Sequence, residues 1–577
     1  MPRSFGISPS PAVTEPLDPG PSPAASPLQA RFTRMDALVL AAIVALGLVN
    51  LPQPFAWDQA MFAIGARKLA HGAVLYRDYW DPKQPAPFAF YALAGTLFGF
   101  TEVGIHLFEL LYLAAFAAVL TVTLKGYFRH SWAAPLAALF TVGFFYAVTE
   151  DWHLTQIEGL VGFPMFLALW CATRAASGAD GAPASRPAPE LRSLFVSGLA
   201  GGICLLSKFL FLPILACFWL SSLAAIVVRA RPRGALAAAR GAGAIALGTM
   251  VPLLAASAYF AAHRAFRLAW WTSFDFPVEV MRQVHGFRFR PFLDGLSWFA
   301  ERWSPVLGLA AIGVTLSLRA RRDLFSAGLL LWCVAGVAVL LVQRLSFWQY
   351  QYLILTVPLG ILAARGVDLA WPALARIGPP YSARDAGVAA SLGLAFFFTS
   401  AWVPLSVKCA SLAHDRLALS RAGRLGFQNR LSKGGGYPKI RAEAAFLSGP
   451  GSLPGPIFVV GNPLYYWLSG RDQAVARNGA SFIEYATEEE WSELTASLDR
   501  ARPAYIFIQG DYDRMFASQA TKCASFLDLL ARDYRPRRRT AAGTWYERSA
   551  TGGGAAPAGT PAPGAQPAAA RAPGAGR

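Results

Sequence analysis

The chain has 577 residues, 55% of them hydrophobic and only 15% charged, with a net charge of +18. That balance is too apolar for an ordinary soluble domain and excludes a disordered or collagen-like chain. The positive charge alone would suit nucleic acid. Its placement, in short clusters between long apolar runs, points to a membrane instead and to no nucleic acid.

Residues 1–34, which begin with a Pro-, Ser- and Ala-rich segment, read as a disordered cytoplasmic tail. The first apolar run, 36–54, has no small-residue cleavage site and is not a signal peptide. About eleven runs are long enough to cross a bilayer. They lie at 36–54, 103–124, 132–149, 157–175, 193–207, 209–228, 241–262, 304–318, 324–342, 352–370 and 386–405. The pair over 193–228 is the least regular, because Lys208 interrupts it. Basic residues gather on alternate loops: Arg31 and Arg34 before the first run, Lys125 and Arg129 after the second, Arg229 to Arg240 after the sixth. The positive-inside rule then puts the N-terminus in the cytoplasm, and an odd number of crossings puts the C-terminal region outside. The loop between the first two runs is outside as well.

That loop, 55–101, is long and patterned. Two amphipathic helices are expected along the membrane interface, Trp57 to Ala70, ended by Gly72, and Phe88 to Leu97. Asp58 opens the first. It reads either as an N-cap or as a carboxylate facing the membrane surface, a general base or a metal ligand, and the two roles are compatible. Lys83 sits in Asp81-Pro82-Lys83-Gln84-Pro85-Ala86-Pro87, where three prolines stiffen the backbone. A lone interfacial lysine usually snorkels; a rigid one suits a phosphate oxyanion. Asp78 and Asp81 are secondary acid or metal candidates, or simply partners of Arg77 and Lys83.

Further along, Glu158 enters the fourth run and Lys208 separates the fifth from the sixth. Charges near a span's end are either boundary residues or site residues. The external loop 263–303 breaks the positive-inside pattern with Arg264, Arg267, Arg282, Arg288, Arg290 and Arg302. It is a solvated loop or a phosphate-binding strip. Tyr352, in Gln349-Tyr350-Gln351-Tyr352, lies at the outer start of the tenth run, where an aromatic belt is the plain explanation.

Residues 406–549 change character. Short β-rich segments at 457–460, 504–508 and 544–547 alternate with a helix beginning at the capping box Thr487–Glu490 and another over 517–533. This predicts a small external α/β domain, followed by a disordered tail at 550–577. Asp511-Tyr512-Asp513 imitates a metal-binding Asp-x-Asp motif, but a turn after a strand explains it better. Four cysteines lie in apolar runs; Cys409 and Cys523 fall in the external region, where a disulfide is allowed. No P-loop, HExxH or dinucleotide fingerprint is present.

With Asp58, Asp81-x-Lys83-x-Pro85, Glu158, Lys208 and the Tyr352-to-Pro358 run, the chain resembles the GT-C membrane glycosyltransferases. The resemblance is to the bacterial group around aminoarabinose–lipid A transferase and the lipopolysaccharide-core galacturonosyltransferases, with protein O-mannosyltransferases more distant. It covers roughly 35–549 and includes Val460-Gly461-Asn462-Pro463 and Arg502-Pro503-Ala504-Tyr505-Ile506. It implies a GT-C-like transmembrane domain over 35–405 and an external domain over 406–549, in a bacterial inner membrane with the site facing the periplasm. It implies a polyprenyl-phosphate sugar as donor and a lipid-linked glycan or other acceptor. Catalysis would fall to Asp58 and Glu158, and the donor phosphate to Lys83, with Lys208, Arg264, Arg288 and Tyr352 in support. Many relatives carry a second acid after the first; here Gln59 stands there, which leaves a divalent metal cation on Asp58 an open alternative. A transporter or flippase, or a glycan polymerase or ligase, are the competing readings.

Overall fold

A computed structural model describes residues 32–177, 188–284, 286–287, 289–319, 323–344, 346–376, 399–432, 436–481 and 483–549. Among these, seven helices are long and apolar enough to cross a membrane: Glu102–Gly126, Ile157–Ser177, Glu190–Ser207, Phe209–Arg229, Gly234–Ala262, Leu324–Gln343 and Gln349–Pro372. Shorter apolar helices at Ala133–Val148 and Ser304–Leu318, and helix α1 (Arg34–Leu48), coincide with three further predicted runs. The eleventh predicted run, 386–405, lies outside the described residues up to 398. The protein is thus a multi-pass helical membrane protein.

Glycines set how closely the spans approach. A Cβ on Gly198 would collide with the Ile245 carbonyl of the neighbouring helix, and one on Gly248 with the Phe195 carbonyl. Gly313 and Gly366 form a second such crossing, against Leu362 and Leu309. Lipid supplies no hydrophobic force between helices, so association depends on this close backbone contact.

The first loop folds as two helices. Helix α2 spans Trp57–Ala70 and ends where Gly72 adopts φ +92°. Helix α3 spans Pro85–Phe98, three residues longer at its start than the sequence suggests, because Pro85 takes the first helical position. They pack through Phe62 on Phe88, ring centroids 5.4 Å apart. Helix α4 (Glu102–Thr123) follows and re-enters the membrane.

The C-terminal part holds a four-stranded sheet in the order β1-β2-β4-β3, with β1 Ile457–Val460, β2 Tyr505–Gln509, β3 Tyr534–Arg539 and β4 Gly543–Arg548. β1 and β2 are parallel; β4 runs antiparallel to both β2 and β3. The Thr487 capping box starts the helix Glu488–Ala501 as expected. The helix expected over 517–533 is two pieces, Asp513–Ser518 and Ala524–Asp533. Cys409 and Cys523 are both free thiols.

This part grips the first loop. The Trp80 N–H donates to the Ala476 carbonyl at 2.9 Å, and the Asn478 amide donates to the Trp80 carbonyl at 3.1 Å. The Lys68 ammonium donates to the Gln473 carbonyl, and Arg477 stacks over the Trp80 ring.

Gly198→Val should destabilise the protein by about 1–3 kcal/mol through overpacking. The expected readout is a lowered melting temperature in detergent, while Gly243→Ala, where a Cβ meets open space, leaves it unchanged.

Candidate active site

Asp58 is the second residue of α2, not its N-cap. The cap position is Ala56, whose N–H is taken by the side-chain oxygen of Gln59. The Gln59 amide nitrogen donates in turn to the carbonyls of Asp151 and Leu154. Gln59 is fully buried and has both ends engaged. It ties α2 to the 149–156 turn and leaves Asp58 free to point elsewhere.

Asp58 points at two partners. Its Oδ1 lies 3.4 Å from the Lys83 ammonium, and its Oδ2 accepts a 2.9 Å hydrogen bond from the Tyr350 hydroxyl. Lys83 is fixed by its own backbone: its N–H donates to Asp81 Oδ1 at 3.0 Å, and its carbonyl accepts from the Tyr76 hydroxyl. Asp81 is fully buried, 3.8 Å from the Lys83 ammonium, and accepts from Ser481 of the C-terminal part. The ammonium also lies 5.5 Å from the Phe62 ring centroid.

Burial works against the Lys83 charge, but Asp58 and Asp81 outweigh it, with a further contribution from Glu158, and its pKa is raised above the ordinary lysine value. Lys83 is therefore a cation throughout the neutral range. Its contribution to stability is fully present below the ordinary lysine pKa and lost only as pH rises through the raised one.

Glu158 pairs with Lys208 at 3.0 Å, and the same ammonium donates to the Gln343 side chain at 2.7 Å. Lys208 stands at a helix break, in extended conformation (φ −166°, ψ 116°). The short helix Ile157–Leu160, which holds Glu158, packs on the 3₁₀ turn Gln349–Leu355, which holds Tyr350. Two acid–lysine pairs are thereby gathered in one neighbourhood.

Other candidates stand apart. Tyr352 is fully buried and gives its hydroxyl to the Phe292 carbonyl at 2.7 Å, so it does not face the cluster; Tyr350, two residues earlier, does. Asp78 receives the Val74 N–H and pairs with Arg77, which holds its carboxyl below the usual range. Arg264 is exposed after the helix Gly234–Ala262, with φ +55°, and no described contact joins it to Lys83. Arg288 lies outside the described residues. Asp511 accepts from Gln509 in its own turn.

The donor set does not suit a divalent metal. Asp58 has a cation on one oxygen and a hydroxyl on the other, Gln59 is used as a brace, and no group of three His, Cys, Asp or Glu side chains clusters among the described residues.

No family model and no curated protein matches the chain by sequence. Solved structures match it by shape. The crystal structure of ArnT from Cupriavidus metallidurans bound to undecaprenyl phosphate superposes with a TM-score of 0.55 at 15% identity. It covers 89% of this chain and 98% of that one. The fold is that of the GT-C membrane glycosyltransferases. The apo form of the same ArnT gives 0.52 at 15% identity, over 88% and 97%. The archaeal oligosaccharyltransferase AglB from Archaeoglobus fulgidus, in complex with an inhibitory peptide and a dolichol-phosphate, is more distant, at 0.47 and 12% identity, over 90% and 74%.

Asp58→Asn should lower the pKa of Lys83, since burial then meets less opposition. In competitive acylation read by mass spectrometry, Lys83 labelling should begin at a lower pH than in the wild type. An unchanged onset would show that Asp58 does not hold that charge.

Proposed function

We propose that the protein is a glycosyltransferase that moves a sugar from a polyprenyl-phosphate donor to a lipid-linked glycan or other hydroxyl acceptor at the outer face of a bacterial cytoplasmic membrane. The observation that carries this is Lys83, a charged lysine on a stiffened loop, paired at 3.4 Å with the carboxylate of Asp58 on the helix that follows the first span. The fold shared with a transferase whose structure holds undecaprenyl phosphate supports it.

In this reading the donor phosphate takes the place of Asp58 as the partner of Lys83, with Lys208 as a second cation. The acceptor hydroxyl attacks the anomeric carbon from the face opposite the phosphate. Its proton passes to Asp58 as the new C–O bond forms. The electron pair of the breaking C–O bond goes to the phosphate oxygen, where Lys83 stabilises it. The anomeric configuration inverts. Asp58 is a base that its own substrate uncovers, because the incoming phosphate draws the ammonium away. Tyr350 orients the carboxylate through its hydrogen bond. Positioning and a fixed charge at the developing oxyanion are the two rate-giving effects, and no step uses a metal.

Glu158 holds Lys208 as Asp58 holds Lys83. Asp78, Arg264 and Tyr352 have no part in these steps.

Asp58→Asn and Lys83→Ala should each lower transfer from a labelled polyprenyl-phosphate sugar by about 100-fold or more, in membranes where both variants are folded. Full transfer by either variant would remove that residue from the mechanism. If the wild type binds such lipids but turns none over, the transporter reading gains.

A further inference from the structure

A second feature lies at the same end of the spans. A cavity of about 350 Å³ lies among Leu48, Val49, Val103, Leu417, Leu419 and Arg424. Its walls fix its height. Leu48 and Val49 end α1, and Val103 lies in the first turn of α4, so both are at the boundary where these spans leave the membrane. All the remaining lining residues but one are apolar, and the exception is an arginine.

The far wall is built with effort. Arg416, Leu417 and Ala418 have φ of 51°, 59° and 55°, three successive non-glycine residues in the left-handed region. This turn presents Leu417 and Leu419 at 62% and 76% exposure, far outside what a core leucine shows. Leucines held outward beside an apolar cavity at the membrane boundary face acyl chains rather than water.

One cation lines the cavity: the Arg424 guanidinium, anchored by a 2.9 Å hydrogen bond to the Leu419 carbonyl. Arg416, next to Leu417 in the turn, and Arg421, one helical turn before Arg424, are exposed. The one acid in the turn, Asp415, is already paired with Arg430. No carboxylate pairs with Arg416, Arg421 or Arg424 among the described residues. Guanidinium forks match phosphate oxygens, and basic residues at a bilayer surface favour anionic headgroups.

We infer that this cavity is a binding site for an anionic phospholipid of the adjoining leaflet, one acyl chain between α1 and the Leu417–Leu419 turn and the phosphate on Arg416, Arg421 and Arg424. The site is separate from the Asp58–Lys83 cluster and does not depend on the reaction proposed above. Charge complementarity and height decide the occupant: a zwitterionic lipid offsets its phosphate with its own cation and leaves the arginine charge uncompensated, and a soluble phosphate would leave the apolar cavity unused.

The test is native mass spectrometry of the full chain in detergent, offered phosphatidylglycerol and phosphatidylcholine of the same acyl composition. The wild type should retain phosphatidylglycerol in preference. Replacing Arg416, Arg421 and Arg424 together by Gln should lower that preference about tenfold. Leu417→Ser with Leu419→Ser should lower retention of both lipids. Equal retention of the two lipids by the wild type overturns the proposal, and that result needs no variant to fold. Unchanged preference in the folded arginine variant also overturns it. So does displacement of phosphatidylglycerol by a polyprenyl phosphate in Lys83→Ala, which would give the cavity a different occupant.

Discussion

A cation held between two carboxylates organises this protein. Lys83 lies between Asp58, on a helix that starts just after the first span, and Asp81, two residues before it on the same loop. Asp81 has no exposed surface, and a buried charge is stable only when paired and hydrogen-bonded. Lys83 supplies the charge and a backbone N–H, and Ser481 supplies a hydroxyl. That last partner comes from the C-terminal part, 400 residues downstream of Asp81. The C-terminal part therefore completes the environment of Asp81. Its contacts through Ala476 and Asn478 hold the backbone on which Lys83 is presented.

The same constraint explains why Asp58 is suited to chemistry while Asp81 is not. Asp81 is enclosed, and its bonds are to groups of the protein. Asp58 retains some exposure, and its lysine contact of 3.4 Å is longer than a tight charge-assisted hydrogen bond. The looser partner is the one that an incoming anion can remove. In the proposed reaction this gives a carboxylate held by a cation in the empty site and released to accept a proton when phosphate arrives. Gln59, directly after Asp58, turns its side chain the other way, to Ala56, Asp151 and Leu154. As an amide, it braces the helix and stays neutral.

The loop was legible in the sequence because its chemistry is local. The apolar spacing of Met61, Phe62, Ile64 and Leu69, with Gly72 beyond, marks α2 over the span it occupies. The three prolines around Lys83 mark a rigid presentation. Spans were legible for the same reason, as long apolar runs. What failed depended on direction around an axis. Tyr350 and Tyr352 are equivalent in composition, but two residues apart on a 3₁₀ turn they point to different sides. Only packing decides that Tyr350 meets Asp58 and Tyr352 meets Phe292. Strand β3, Tyr534-Arg-Pro-Arg-Arg-Arg, has no apolar alternation, because it is an edge strand with one neighbour and little to bury. Arg264 stands out in the sequence by charge alone, and charge says nothing about reach.

Lys208 shows how a membrane protein carries a charge within an apolar stretch. A lysine in an unbroken helix at mid-membrane would cost about 2.5–3.5 kcal/mol on insertion scales. Here the helix stops at Ser207 and restarts after an extended residue, which is Lys208 itself. That break joins two spans, Glu190–Ser207 and Phe209–Arg229, so Lys208 sits at their ends, where a charge costs far less than at mid-membrane. The break turns the ammonium toward Glu158 and Gln343, polar groups from two other spans. The two lysines thus arrive by different routes, one on a proline-stiffened loop and one at the junction of two spans. Each route fixes a cation against an acid before any ligand is present. A site assembled this way has already met the cost of gathering its charges, and an anionic ligand has only to exchange one partner for another.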